Sequence, residues 1–239
     1  MTNTPPPLNW PAVIETFLLG GFAALVLSKA MRGVLGYYIH PRYTPLLIAA
    51  GVVLAAMALL RMGSIYRARA AIAPGRGWSY ALLGMLLLFG TVTPAQPLGA
   101  AALDTRGIRS SAEFGAAARP RPSDSQQWNL LDWVFALGDS PPPSAGTAVL
   151  IEGFLFRSAE TPAEEFMLAR YVVQCCAADA SAVGLPVRWQ TAADLPRDQW
   201  LRVEGWLAWE ERQGGLQPLV VATRVDRIDP PSDPYLYGR

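Results

Sequence analysis

Histidine occurs once in these 239 residues and cysteine twice, while the basic residues are almost all arginine, with Lys29 the single lysine. Charged residues make up 16% of the chain, against about 25% in ordinary soluble domains. Each scarcity excludes something. Two cysteines cannot build the disulfide framework of a small domain, and no Cys-x-x-Cys pair is present for a zinc ribbon. A formal net charge of +1 argues against a strongly basic nucleic-acid binder. Phosphate-binding glycine loops, a Ser-His-Asp set and zincin motifs are all missing. The expectation is a protein that is not an enzyme.

What is present is apolar length, concentrated in the first hundred residues. Residues 10–34 form one apolar segment, with Glu15 near its start and Lys29 near its end. Crossing a bilayer as helix takes about 20 residues, and charges toward the ends can reach the interface. Trp10 and the pair Tyr37-Tyr38 bracket this segment like interfacial aromatics. Residues 43–60 form a second run without charge. Residues 78–98 form a third, which Pro94 and Pro97 should kink or end. These runs predict a membrane anchor over residues 1–99 with three transmembrane helices in the lipid bilayer. The connector after the second run carries Arg61, Arg67, Arg69 and Arg76, whereas Lys29, Arg32 and Arg42 lie on the other side. The excess of arginine places the second connector and the N-terminus in the cytoplasm. Three crossings then put the chain beyond Gly99 outside, as the extracytoplasmic part of a multi-pass cell-membrane protein. Gly20, Ala24 and Ser28 recur at every fourth residue, as do Gly51 and Ala55. Such stripes allow close helix packing, within the chain or against a partner. Glu15 reads as an interfacial side chain, a polar contact to a partner, or an acid on a transport path.

Residues 100–145 read as a linker, rich in Ala, Arg, Ser and Pro, with one short amphipathic helix at 128–137. A β domain follows at 146–239. Strand-like runs lie at 149–156, 166–176, 187–189, 200–209 and 219–228, with a turn at Gly214-Gly215. Gly153 and Gly205 sit inside strands, where glycine marks a bulge or tight bend. The fold class expected is therefore a membrane α-helical region plus an all-β domain, a small five-stranded barrel of the OB type. A sandwich is the alternative. Residues 230–237 read as an extended, poorly ordered tail. Trp200, Trp206 and Trp209 on one strand could stack bases, but a domain outside the membrane argues for core and rim roles and no nucleic-acid partner.

The chemistry-bearing stretch is Cys175-Cys176-Ala177-Ala178-Asp179-Ala180. Neighbouring strand residues point to opposite faces, so a regular strand would bury Cys175 and present Cys176. Bonding the two to each other is difficult: adjacent Cα atoms lie ~3.8 Å apart, whereas a relaxed disulfide wants roughly 4.4–6.8 Å. With Asp179 nearby, the pair is a candidate site for a soft transition metal, or a redox-active dithiol. The plainer reading is one buried and one half-exposed thiol without chemistry. His40, beside Pro41 at a membrane boundary, is either structural or a further metal ligand if the β domain folds back toward it.

Tyr38-Ile39-His40-Pro41-Arg42, Ala169-Arg170-Tyr171-Val172-Val173-Gln174-Cys175-Cys176-Ala177-Ala178-Asp179-Ala180, Trp200-Leu201-Arg202-Val203-Glu204-Gly205 and Pro234-Tyr235-Leu236 together carry a resemblance, most specifically in the Cys175–Ala180 block. The chain resembles the bacterial YcgQ-like membrane proteins, a family described as permease subunits. That resemblance implies an accessory protein working with a multi-spanning permease encoded nearby, without an established substrate or agreed catalytic residues. Some relatives carry histidines in the connector after the second span; residues 61–77 here have none. The functional expectation is an accessory subunit whose β domain handles a soft metal or a thiol-reactive solute. A membrane-bound thiol or redox enzyme, and a structural assembly factor, are the alternatives.

Overall fold

The computed structural model describes residues 8–66, 76–108, 121–212 and 215–237. Arg67 and Arg69 of the second connector, residues 109–120 of the expected linker and Gly214 of the expected turn lie outside the described residues. The chain divides into two compact units, Met1–Gln96 and Pro97–Arg239.

The first unit is helical. Helix α1 (Trp10–Met31) opens at Asn9, whose side chain accepts a hydrogen bond from the Ala12 N–H at 3.3 Å, and Pro11 sits in the first turn where its missing N–H costs nothing. A 3-10 turn over Pro41–Tyr43 leads into α2 (Thr44–Met62). The stretches Trp10–Met31 and Pro41–Met62 each have 22 residues, with mean hydropathy of 1.8 and 2.2 in their most apolar windows. At about 1.5 Å per residue each reaches about 33 Å, against a hydrocarbon core of about 30 Å. Both are long and apolar enough to cross a membrane. Helix α3 (Arg76–Val92) has 17 residues and stops before Pro94, so it covers less of the third apolar run than its composition suggested; at the same rise it reaches about 25 Å.

Small residues let these helices approach within the chain. A Cβ on Gly51 of α2 would meet the Leu27 side chain of α1 at 3.1 Å, and a Cβ on Gly90 of α3 would lie 2.7 Å from Leu25. The polar groups of α1 are also used inside the unit. Glu15 accepts hydrogen bonds from Arg61 at 2.7 Å and from the Tyr80 hydroxyl at 2.8 Å, joining all three helices near one end. Toward the other end of α1, Lys29 donates to the Tyr38 hydroxyl at 3.0 Å and lies over its ring.

The second unit is a closed barrel. Its strands are β1 (Ala148–Phe156), β2 (Glu165–Val173), β3 (Ser181–Arg188), β4 (Trp200–Arg212) and β5 (Gly215–Arg227). β1 pairs antiparallel with β2 and β4, β2 with β3, and β4 with β5. The parallel pairing of β3 with β5, at Val187↔Val220 and Arg188↔Val221, completes the ring. This is the OB-type closure, and it leaves no place for the sandwich alternative. The third strand is longer than its sequence suggested, because Gly184 and Pro186 lie within its pairing to β2 and weaken the strand signal. The ladder between β4 and β5 shifts register at Glu204/Gly205, as expected of a glycine bulge. At Gly153 a Cβ would lie 2.5 Å from the Ala169 carbonyl oxygen, so β1 crosses β2 with no room for a side chain.

Two layers cover the barrel wall. Inside, apolar residues of all five strands pack against helix α5 (Leu130–Leu137), which buries Leu130, Leu131 and Trp133. Asn129 and Asp132 form a capping box that starts this helix. Outside, Phe154, Ala169, Tyr171, Val173 and Trp200 form a second cluster with Ala100 and Leu103 of helix α4 (Ala100–Arg106). Strand β2 is thus buried on both faces, which explains its nearly continuous apolar run. Residues 98–108, of which 100–108 were expected as linker, form a strap along the barrel. The Leu98 N–H donates to the Tyr235 hydroxyl at 2.9 Å, Tyr171 donates to the Gly99 carbonyl at 3.1 Å, and the Ala100 N–H donates to Asp198 at 2.7 Å. The tail is ordered as well, contrary to expectation. Arg170 donates to the Pro234 carbonyl at 3.2 Å, Tyr235 is buried, and β6 (Leu236–Tyr237) pairs parallel with β2.

Candidate functional site

Strand β2 ends at Val173, two residues before the cysteines. The physical reason is Asp179. Its carboxylate accepts three consecutive backbone N–H groups: Gln174 at 3.0 Å, Cys175 at 2.7 Å and Cys176 at 3.3 Å. Donors that a strand would give to its neighbour are drawn into a local loop. Cys176 is extended and caps a 3-10 turn, Ala177–Asp179, closed by the Asp179 N–H on the Cys176 carbonyl at 3.0 Å. The expected burial of Cys175 therefore does not occur. Cys175 is exposed, Cys176 is half-buried, and both are free thiols.

The two sulfurs lie 3.6 Å apart. One ligating atom from each of Cys175, Cys176 and Asp179 falls within 4.8 Å of the others. The pair is asymmetric. Hydrogen bonds to Asp179 and to Cys176 hold the proton on Cys175 and push its pKa up to about 12. Cys176 moves down, because the Ala178 N–H and the Cys175 S–H stabilise its thiolate. Burial pushes the Asp179 carboxyl up, but hydrogen bonds from the Cys175 thiol and from the backbone N–H groups of Gln174, Cys175 and Cys176 hold it below the usual carboxylate range. A carboxylate offers about four acceptor sites, and most of these are engaged. Asp179 first orders the turn and only then counts as a third ligand.

The sequence offered no sign of Arg106, at the end of α4. Its Nη1 donates to the Ala177 and Ala180 carbonyls, each at 3.0 Å, from more than seventy residues away in the chain. Arg106, Gln174, Asp179 and Ser181 line a cleft of about 520 Å³ beside the turn. Only the tertiary path of the strap makes Arg106 part of the site.

The remaining candidates have settings of their own. His40 belongs to the helical unit, where its Nδ1 accepts the Arg42 N–H at 3.1 Å and its ring meets Tyr43 edge-on. Trp200 is in the outer core, Trp209 donates to the Pro143 carbonyl at 3.0 Å, and Trp206 is the exposed one of the three. They do not form a stacking platform. A second polar cluster went unnoticed in the sequence because its members lie far apart in the chain. Glu165, 5% exposed, accepts from Arg188 and Arg212 at 2.7 Å each, and both arginines also pair with Glu210. The Arg188 guanidinium brings Glu210 down to about 2. Charges there are matched, so the cluster ties β2, β3 and β4 together.

Residues 125–238 match the family model described as the DUF1980 C-terminal domain. This span holds α5, all six strands and the cysteine turn, but not Arg106. The chain is 27% identical over 122 residues to the UPF0703 protein YcgQ of Bacillus subtilis (strain 168), covering 48% of this chain and 43% of that protein. It thus spans less than half the length of this relative. Together these similarities support a distant relation to YcgQ-like proteins. Neither name assigns an activity.

Proposed function

We propose that this chain is a membrane-anchored, non-enzymatic accessory protein whose barrel presents a dithiol chelate for a soft metal ion or another thiol-reactive solute. The observation that carries the reading is the separation of 3.6 Å between two solvent-accessible sulfurs. With metal–sulfur bonds of about 2.3 Å, that separation corresponds to an S–metal–S angle of about 103°, close to tetrahedral. A linear two-coordinate ion would instead need sulfurs about 4.6 Å apart on the same bond length. A disulfide would require closure to about 2.05 Å across neighbouring residues, which strains the backbone. Cys176 supplies the first thiolate, Cys175 gives up its proton on binding, and Asp179 stands as the third donor.

Membrane attachment rests on α1 and α2, each long and apolar enough to cross. The arginine-rich connector supports a cytoplasmic position for it and, with α3 as a third crossing, an extracytoplasmic barrel. Partnership with a permease rests on the family resemblance alone. Reporter fusions after Ala71 are expected to read cytoplasmic, and fusions after Ala117 external; an internal reading after Ala117 removes the third crossing.

The central test is a zinc titration of the purified full chain in detergent. One equivalent is expected to bind to the wild type, with loss of at least a hundredfold in affinity in both Cys175→Ser and Cys176→Ser. Equal binding by wild type and both variants would refute the chelate. The unequal thiols favour one second reading, a reactive Cys176 that forms mixed disulfides with small-molecule disulfides. Cys175, holding its proton, would then be a poor resolving thiol. Mass spectrometry after exposure to such a disulfide separates the two, since the chelate predicts protection of Cys176 by zinc.

A further inference from the structure

We infer that Arg106 is a positioning residue for the dithiol, and that the strap it belongs to responds when the dithiol is filled; the inference rests on the chelate reading above. The turn is held from two directions. Asp179 gathers the N–H groups of Gln174, Cys175 and Cys176 on one side. Arg106 gathers the carbonyls of Ala177 and Ala180, which bracket Asp179, on the other. Neither cysteine is among the buried core residues, so the spacing of the sulfurs depends on this backbone frame. A chelate tolerates little error in that spacing, because metal–sulfur distances are confined to a few tenths of an ångström.

Arg106 is the last residue of α4, and the chain continues along the barrel to a parallel bridge between Ile108 and Ala182, two residues past Ala180. The strap therefore meets both the turn and the strand that leaves it. At its other end the strap follows α3 by one short segment, residues 93–97. A metal that locks the two sulfurs narrows the motion of the Ala177 and Ala180 carbonyls. It thereby strengthens their bonds to Arg106 and the seating of residues 100–108. Coupling of this kind is reciprocal: whatever factor the metal adds to strap docking, strap docking adds to metal affinity. Loading of the barrel is thus communicated to the part of the chain that leads back to the helices.

The test combines zinc titration with amide hydrogen exchange, both on the full chain in detergent. Zinc is expected to slow exchange across residues 100–108 at least threefold in the wild type. Arg106→Ala should bind zinc about tenfold more weakly and lose the zinc-dependent protection. Arg106→Lys, which keeps a cationic donor, should recover most of both. A merely structural arginine would alter exchange in the same way with and without zinc. Zinc binding with unchanged strap exchange in the wild type overturns the inference and leaves the chelate standing, as does full affinity in Arg106→Ala. Absence of zinc binding by the wild type overturns both. The wild-type exchange measurement needs no variant, so a folding defect in Arg106→Ala cannot obscure the outcome.

Discussion

The two units bury opposite things. In the barrel unit, the largest apolar side chains are buried: Trp133, Tyr171, Phe154 and Phe166 are all under 2% exposed. In the helical unit, large apolar side chains face outward, with Leu60 at 81%, Phe17 at 69% and Phe89 at 66% exposed. The helical unit also pairs polar groups with one another, Glu15 with Arg61 and Tyr80, and Lys29 with Tyr38. A protein surface in water does not accept such a continuous apolar face. Lipid does, since helix association there depends on close packing and internal polar pairing. The helical unit is apolar where the barrel unit is polar, and the difference shows in which atoms each unit hides.

That contrast can be broken experimentally. The largest effect is expected from Trp133→Ala, which empties the barrel interior and should cost about 3–5 kcal/mol of barrel stability, read as a lowered denaturation midpoint for barrel fluorescence. Next is Val53→Asp on the outward face of α2, where Val53 is 57% exposed. In water such a change would be nearly silent, within about 0.5 kcal/mol. In a bilayer it should cost about 2.5–3.5 kcal/mol of insertion, measured as a fall in the membrane-integrated fraction. A silent Val53→Asp would remove the lipid-facing reading of α2.

A smaller effect sharpens the barrel side of the comparison. The Cys175 thiol must lose its proton to bind metal, and its pKa is pushed up to about 12. Zinc affinity should therefore rise with pH through the neutral range, by about tenfold per pH unit for each proton displaced. Isotherms at two pH values check this, and a flat profile would mean that Cys175 is not a ligand. The smallest effect is Leu60→Ala. Its side chain is already outside the helical packing, so detergent-solubilised stability should change by no more than about 0.5 kcal/mol. A loss of several kcal/mol would show that Leu60 is covered.

Much of this was legible in the sequence where the signal is local. The apolar length of α1 and α2 stands out because lipid demands uninterrupted runs. The barrel class could be read from five short strand-like segments with Gly153 and Gly205 inside them. The candidate cluster was legible as Cys175, Cys176 and Asp179, since a turn brings together residues four apart. The side of the strand on which each thiol falls was not. Alternation assumes that the strand continues, and the Asp179 carboxylate ended it by taking three backbone donors at once.

Composition and apolar periodicity were enough to determine the division into a lipid-compatible helical part and a β domain, because both report solvent preference residue by residue. The adjacency of the two thiols was likewise a property of the covalent chain. Tertiary structure alone decided that the supposed linker and tail are seated on the barrel and that Arg106 holds the turn. Those outcomes depend on hydrogen bonds between residues as many as 137 positions apart, such as the Leu98 N–H on the Tyr235 hydroxyl. Partners that distant are chosen by the closure of β3 on β5, which carries the chain round the barrel, and no local pattern of side chains encodes them.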